Sequence, residues 1–367
     1  MRTATVHAFA GTAIAATVIY ACATTTAAPA PSGVEAGAYS DASVDQTSPK
    51  SDAQVEAKAG EYPCAHAPVV QKCADGWCEI PAGCFWMGSP ETEYGRGQVT
   101  EPLVPTTLTH SFLIQQYETT QAAWRSVGFR DPTGDVPGNA FVACKGDNCS
   151  VGSINYFEGL AYANAMSERD GYASCYELVG CTGVPGNGMT CDTFRVKDAI
   201  SYDCEGYRFP MGAEWEYAAR AGTRTAFYSG DILTPAVPTD CDRDPNLDDI
   251  AWYCHNSAGT THPVGLKKPN GWGIYDILGN SMEFVVDHRR YGGYGTGPQR
   301  DPGDPVFIHE LRGSRGSLVV GFPSVLRAAS WVGTVGWTDR SDGLTVRLVR
   351  TLNPKKNDAG AGDAAKD

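Results

Sequence analysis

Thirteen cysteines, seven histidines and two carboxylates seven residues apart, Asp276 and Glu283, have the most chemical reach in this 367-residue chain. Cys22 ends Ile19-Tyr20-Ala21-Cys22, a run that resembles a bacterial lipobox, in which the cysteine is lipidated after cleavage. Setting it aside leaves Cys64, Cys73, Cys78, Cys84, Cys144, Cys149, Cys175, Cys181, Cys191, Cys204, Cys241 and Cys254. Twelve is even, and in an oxidising compartment an even set reads as six disulfides. Cys144 with Cys149 and Cys241 with Cys254 suit short closures, while spacing leaves the connectivity open. Structural zinc is disfavoured because no Cys-x-x-Cys knuckle occurs. Asp276 and Glu283 supply hard oxygens, and a turn through Gly279 and Ser281 can add backbone carbonyls between them, which is the donor set calcium prefers.

The histidines are His7, His66, His110, His255, His262, His288 and His309. His262, before Pro263, reads as a loop hydrogen-bonder; His288, within Asp287-His-Arg-Arg290, faces either a cleft or a solvated turn. With 29 Lys and Arg against 42 Asp and Glu, the net charge of −13 repels phosphate backbones, so nucleic acid is not an expected partner.

Four segments position these residues. Residues 1–22 read as an export signal of the lipoprotein type, with simple cleavage near Ala28 as the alternative. Residues 23–60 hold almost no large apolar side chain and are expected to form a disordered tether; residues 353–367 read as a loose tail. The folded part is then 61–352. Within it, Phe112 to Tyr117 has the pattern of a strand, and Thr119 or Thr120 can cap a short helix carrying Trp124. Asn155 precedes a longer helix with a stripe of Phe157, Leu160, Ala161 and Ala165, and a third helix runs from Ala213 to Ala221. Regular βαβ alternation is absent, and the 42 glycines point to many loops.

Tyr207-Arg-Phe-Pro-Met-Gly-Ala-Glu-Trp-Glu-Tyr-Ala-Ala-Arg-Ala-Gly222 is similar to the signature of the formylglycine-generating enzyme, or sulfatase-modifying factor, family. Pro269 to Phe284, Val325 to Trp331 and Gly343 to Arg350 follow in that family's order, and Ile80 to Ser89 and Tyr117 to Thr120 match its opening. The resemblance implies one irregular α/β domain, distantly related to the C-type lectin-like fold, with little regular secondary structure. Trp215, Tyr217, Trp272 and Trp331 are expected in its core.

Formylglycine-generating members hold copper(I) between two thiolates, a choice that follows from the softness of both partners. In register with the family's thiol loop, the two positions fall on Gly333 and Thr338, which offer no sulfur, and no cysteine follows Cys254. Copper is therefore not expected. The iron cluster of the related sulfoxide synthases, His-x3-His-x-Glu, is not spelled by these histidines. Asp276, Gly279, Ser281 and Glu283 match one calcium site of the family position by position. Trp337, Asp339, Arg340 and His288 would rim the vestigial groove, which binds extended polypeptide in active relatives. The expectation is an exported, lipid-anchored, non-catalytic binding or scaffold module of the cell envelope. Its partner would be an envelope protein or peptide, and its only membrane attachment the lipid on Cys22. The alternative is a divergent oxidase acting on a cysteine of an exported protein.

Overall fold

The computed structural model describes residues 64–97, 100–198, 201–233, 240–287, 295–303 and 311–354, all within Lys58–Asp367. The signal, Cys22, the tether, most of the tail and His288 lie outside the described residues.

Short strands and few helices follow in chain order: β1 (Cys73–Ala74), β2 (Trp77–Ile80), β3 (Gly83–Met87), β4 (Val104–Leu108), β5 (Phe112–Gln115), α1 (Gln121–Ser126), α2 (Tyr156–Arg169), β6 (Tyr176–Val179), β7 (Thr193–Val196), α3 (Gly212–Arg220), α4 (Pro245–Asp248), β8 (Met282–Phe284), β9 (Gln299–Arg300), β10 (Leu311–Arg315), β11 (Gly333–Gly336), β12 (Leu344–Thr345) and β13 (Val349–Thr351). They form sheets in the orders β1-β2-β5-β13, β11-β10-β8-β12, β3-β4-β9 and β6-β7. The irregular α/β architecture expected from the sequence is the one observed.

Helix ends follow local chemistry. Thr120 caps α1, its hydroxyl accepting from the Ala123 amide at 3.1 Å. Asn155 and Glu158 close a capping box on α2, with bonds of 2.9 and 3.0 Å. At α3 the Glu214 carboxylate reaches back to the Met211 amide at 2.9 Å. The helix then stops at Ala221, held in the left-handed region at φ 45°. The α2 stripe differs from the expected one. Phe157 and Leu160 are buried as read, but Ala163, Met166 and Ser167 complete the buried face while Ala161 and Ala165 are half-buried. Tyr162 and Met166, both buried, set the rotation of the helix, since each buries far more apolar area than an alanine.

Two apolar cores meet across β8. One gathers Ile80, Phe112, Trp215, Tyr217, Trp272 and Trp331; the other gathers Trp124, Tyr156, Phe157, Leu160, Phe209 and Val346. Phe284 enters the second core and Val285 the first, as alternation along an extended chain requires. All twelve described cysteines pair, as Cys64–Cys84, Cys73–Cys78, Cys144–Cys149, Cys175–Cys204, Cys181–Cys191 and Cys241–Cys254.

Candidate functional site

Helix α3 is the frame of the site. Arg208 donates to both oxygens of Glu214 at 2.7 Å and to the Thr351 hydroxyl at 2.8 Å, all without solvent. Burial alone would raise the Glu214 pKa, but Arg208 and His110 reverse the effect and bring it to about 2. Two positions on, Glu216 accepts from the Gly88 amide at 2.8 Å and from Arg220 at 2.9 Å. Between them Trp215 donates its indole N–H to Glu283 Oε2 at 2.7 Å, tying the helix to β8.

Glu283 belongs to a buried acidic centre. Its Oε1 accepts from Arg347 Nε at 2.9 Å, with Arg347 Nη2 at 2.7 Å. Asp276 stands at φ 54°, where its Oδ2 accepts from the Gly265 amide at 2.6 Å; its Oδ1 is buried with no hydrogen-bond partner. The turn between them is tight. Gly279, at φ 87°, carries no Cβ because one would stand 2.3 Å from the Trp252 carbonyl oxygen. Ser281 Oγ lies 2.9 Å from Ser150 Oγ. A third carboxylate, Glu118, accepts from the Ser281 amide at 2.9 Å and from Asn280 Nδ2 at 2.6 Å. Burial, with Asp276 and Glu283 close by, pushes Glu118 well above the usual carboxylate range. Burial likewise raises Asp276 to about 6 despite the Gly265 amide and Arg347. Three acids thus share one guanidinium.

The rim residues lie elsewhere. Gly333 is in β11, opposite Ser314 of β10, and a Cβ there would meet no atom within 4 Å. Thr338 and Asp339 are exposed in the turn that follows, where Asp339 accepts from the Gly336 amide at 2.7 Å. Trp337 is half-buried and packs edge-on against Phe157 and Phe194, with centroids 5.5 and 5.8 Å away. Arg340 donates to the Ser153 carbonyl at 2.6 Å and stands 3.8 Å from Glu158. Trp337, Thr338, Asp339 and Arg340 therefore share the turn that follows β11, whereas Asp276, Gly279, Ser281 and Glu283 form a separate buried centre.

The sulfatase-modifying factor enzyme 1-like domain matches residues 65–352. The chain belongs to that family. Among curated relatives, the chaperone protein LppX of Paenibacillus barcinonensis is 30% identical over 192 residues, 47% of this chain and 61% of that protein. Formylglycine-generating enzymes of Streptomyces coelicolor and Mycobacterium tuberculosis are 35% and 38% identical over 29% and 25% of this chain, about a third of their own length. The chain thus spans less than two thirds of each of these relatives. Among solved structures, PvdO from Pseudomonas aeruginosa superposes with a TM-score of 0.56 at 25% identity, covering 75% of this chain and 94% of that one. Treponema denticola variable protein 1 does so at 0.58 and 23%, covering 75% and 95%.

Within the sulfatase-modifying factor fold, two features escaped sequence reading. An Arg-Gly-Ser run, Arg312-Gly313-Ser314, lies in β10, which pairs with both β8 and β11. Counting forward from it or from the stretch before Gly333 meets no thiol, because none follows Cys254. The buried centre also recruits Glu118 and Arg347, distant in sequence, whose only signal was their place inside family strings. The donor set suits a hard cation: an orphaned buried Asp276 oxygen, an excess of carboxylate over guanidinium, and a turn bearing backbone carbonyls. Among the described residues no group of three or more His, Cys, Asp or Glu could hold a metal, so an ion here would lean on those carbonyls.

Proposed function

We propose that this protein is an exported, lipid-anchored, non-catalytic member of the sulfatase-modifying factor family that binds extended polypeptide of the cell envelope as a scaffold or chaperone. The observation that carries the reading is the state of the sulfur. The copper(I) chemistry of the enzymatic branch needs two thiolates, and every described cysteine is committed to a disulfide, while Gly333 and Thr338 offer hydrogen and hydroxyl. The name of the Paenibacillus relative, a chaperone, agrees with a binding role. The membrane is reached only through lipid on Cys22, over a tether long enough for the head to range tens of ångströms (about 38 residues). Calcium at Asp276, Gly279, Ser281 and Glu283 would brace the buried centre and supply charge neutralisation, without redox chemistry.

The turn after β11 carrying Trp337 and Arg340 is the polypeptide contact in this reading: an aromatic face for apolar side chains beside a guanidinium for carbonyls and carboxylates. The test is suppression of aggregation of an unfolded exported enzyme by stoichiometric purified protein. Protection that is saturable and lost in W337A/R340A supports the reading; equal protection by that variant contradicts it. The divergent-oxidase alternative draws on the formylglycine-generating relatives and requires a reducible thiol pair.

A further inference from the structure

We infer that Glu118 is a positioning carboxylate of the Asp276 centre, fixing the Gly279–Ser281 turn so that this centre takes a hard divalent cation. The inference rests on the calcium reading above.

The turn's amides are held one by one. Gly279 donates to the Gly316 carbonyl at 2.6 Å, Asn280 to that of Trp252 at 3.0 Å and Met282 to that of Gly343 at 2.7 Å. A trans peptide is planar, so fixing each N–H also fixes the carbonyl of the preceding residue on the opposite side. The Asn280 and Met282 amides therefore set the directions of the Gly279 and Ser281 carbonyls. The middle peptide, whose N–H belongs to Ser281, has Glu118 Oε1 as its acceptor at 2.9 Å. Glu118 Oε2 takes the Asn280 side chain at 2.6 Å, and that side chain in turn accepts from the His262 amide at 2.8 Å. Asn280 sits at φ 58°, in the left-handed region that asparagine enters more readily than most L-residues. Glu118 is the one side chain that grips both its amide group and the next peptide.

The placement is also electrically specific. A residue needed only to hold this turn could be a neutral acceptor, yet a fully buried carboxylate stands in the same centre as Asp276 and Glu283, where one Asp276 oxygen has no partner. Buried charge in excess of its partners is costly, and a divalent ion offsets that cost where a hydrogen bond cannot.

The test uses the full folded domain with its disulfides intact, titrated with Ca2+ by calorimetry and with Tb3+ by luminescence excited through Trp215. Wild type should bind one ion, and D276N should lose it. E118Q should bind at least tenfold more weakly, and E118D, which keeps the charge but withdraws the clamp, should fall between. Melting in chelator supplies the control: a merely structural Glu118 would lower the chelated melting temperature and leave the dissociation constant alone. Ca2+ affinity of E118Q and E118D within threefold of wild type overturns the role of Glu118. Absence of binding by wild type overturns the calcium reading itself, and the inference with it. Should E118Q not fold, E118D decides the matter.

Discussion

At the scale of single residues, the account turns on atoms placed where no substitute fits. Gly279 is the sharpest case, with positive φ and a backbone oxygen 2.3 Å from where a Cβ would be. Gly279→Ala should therefore cost about 2 kcal/mol or more in chemical denaturation, since relief requires moving the Trp252 backbone. The Arg208–Glu214 pair tests a different principle. Arg208→Met leaves Glu214 buried with His110 and the Met211 amide but without its guanidinium, and the loss should be about 3–5 kcal/mol. Adding Glu214→Leu should return part of it, because two well-packed apolar groups tolerate burial better than one stranded carboxylate. A double variant less stable than R208M would contradict that balance. Residue-scale signals were legible where the chemistry is local: Asp276 and Glu283 lie on one turn and were readable from spacing. Glu118, 163 residues from Ser281, was not, because nothing local marks a carboxylate whose partners arrive through folding.

Elements show how a charged group holds segments together. His110, between β4 and β5, points Nε2 at Glu214 of α3 at 3.0 Å and Nδ1 at Asp301, just past β9, at 3.3 Å. Tyr202 packs on its ring, centroids 4.3 Å apart, and Arg208 lies behind Glu214. A neutral imidazole donates from one nitrogen only, so the arrangement needs the imidazolium. Burial opposes that charge, but Asp301 and Glu214 outweigh it and lift the His110 pKa above its ordinary value. A raised folded pKa means the stabilisation is fully present below the unfolded value, about 6.5, and is lost as pH rises through the folded one. The melting-temperature difference between wild type and H110F should shrink from about pH 6.5 upward; a difference that grows over that range would reverse the assignment. The start of α1 was legible to within Thr119 or Thr120, and that of α2 to the run ending at Asn155, because Thr120 and Asn155 cap within a turn of themselves. The α2 stripe was misread at Ala161 and Ala165 because alanine's periodicity says little about which face packs. Pairing across β8, where Phe284 meets Ser314 and Met282 meets Leu344, has no local signature at all.

The whole molecule is loop-rich and depends on its cross-links. Loop-closure entropy ranks them: Cys175–Cys204, 29 residues apart, should contribute about 3.5 kcal/mol, and Cys73–Cys78, 5 apart, about 2. Paired Cys→Ser variants compared in denaturant check that order, and a larger loss at Cys73–Cys78 would contradict the entropic account. The even cysteine count made the number of bridges readable, and the two short closures were foreseen; the other four needed the fold. The family strings carried the architecture because each is a piece of core.

The most direct measurement loads the purified, disulfide-intact protein with copper(I) and incubates it in air with a sulfatase-type cysteine peptide, following both retained copper and peptide mass. The account predicts no stoichiometric copper and an unchanged thiol. Conversion of that thiol to an aldehyde, with copper held by the protein, would contradict it.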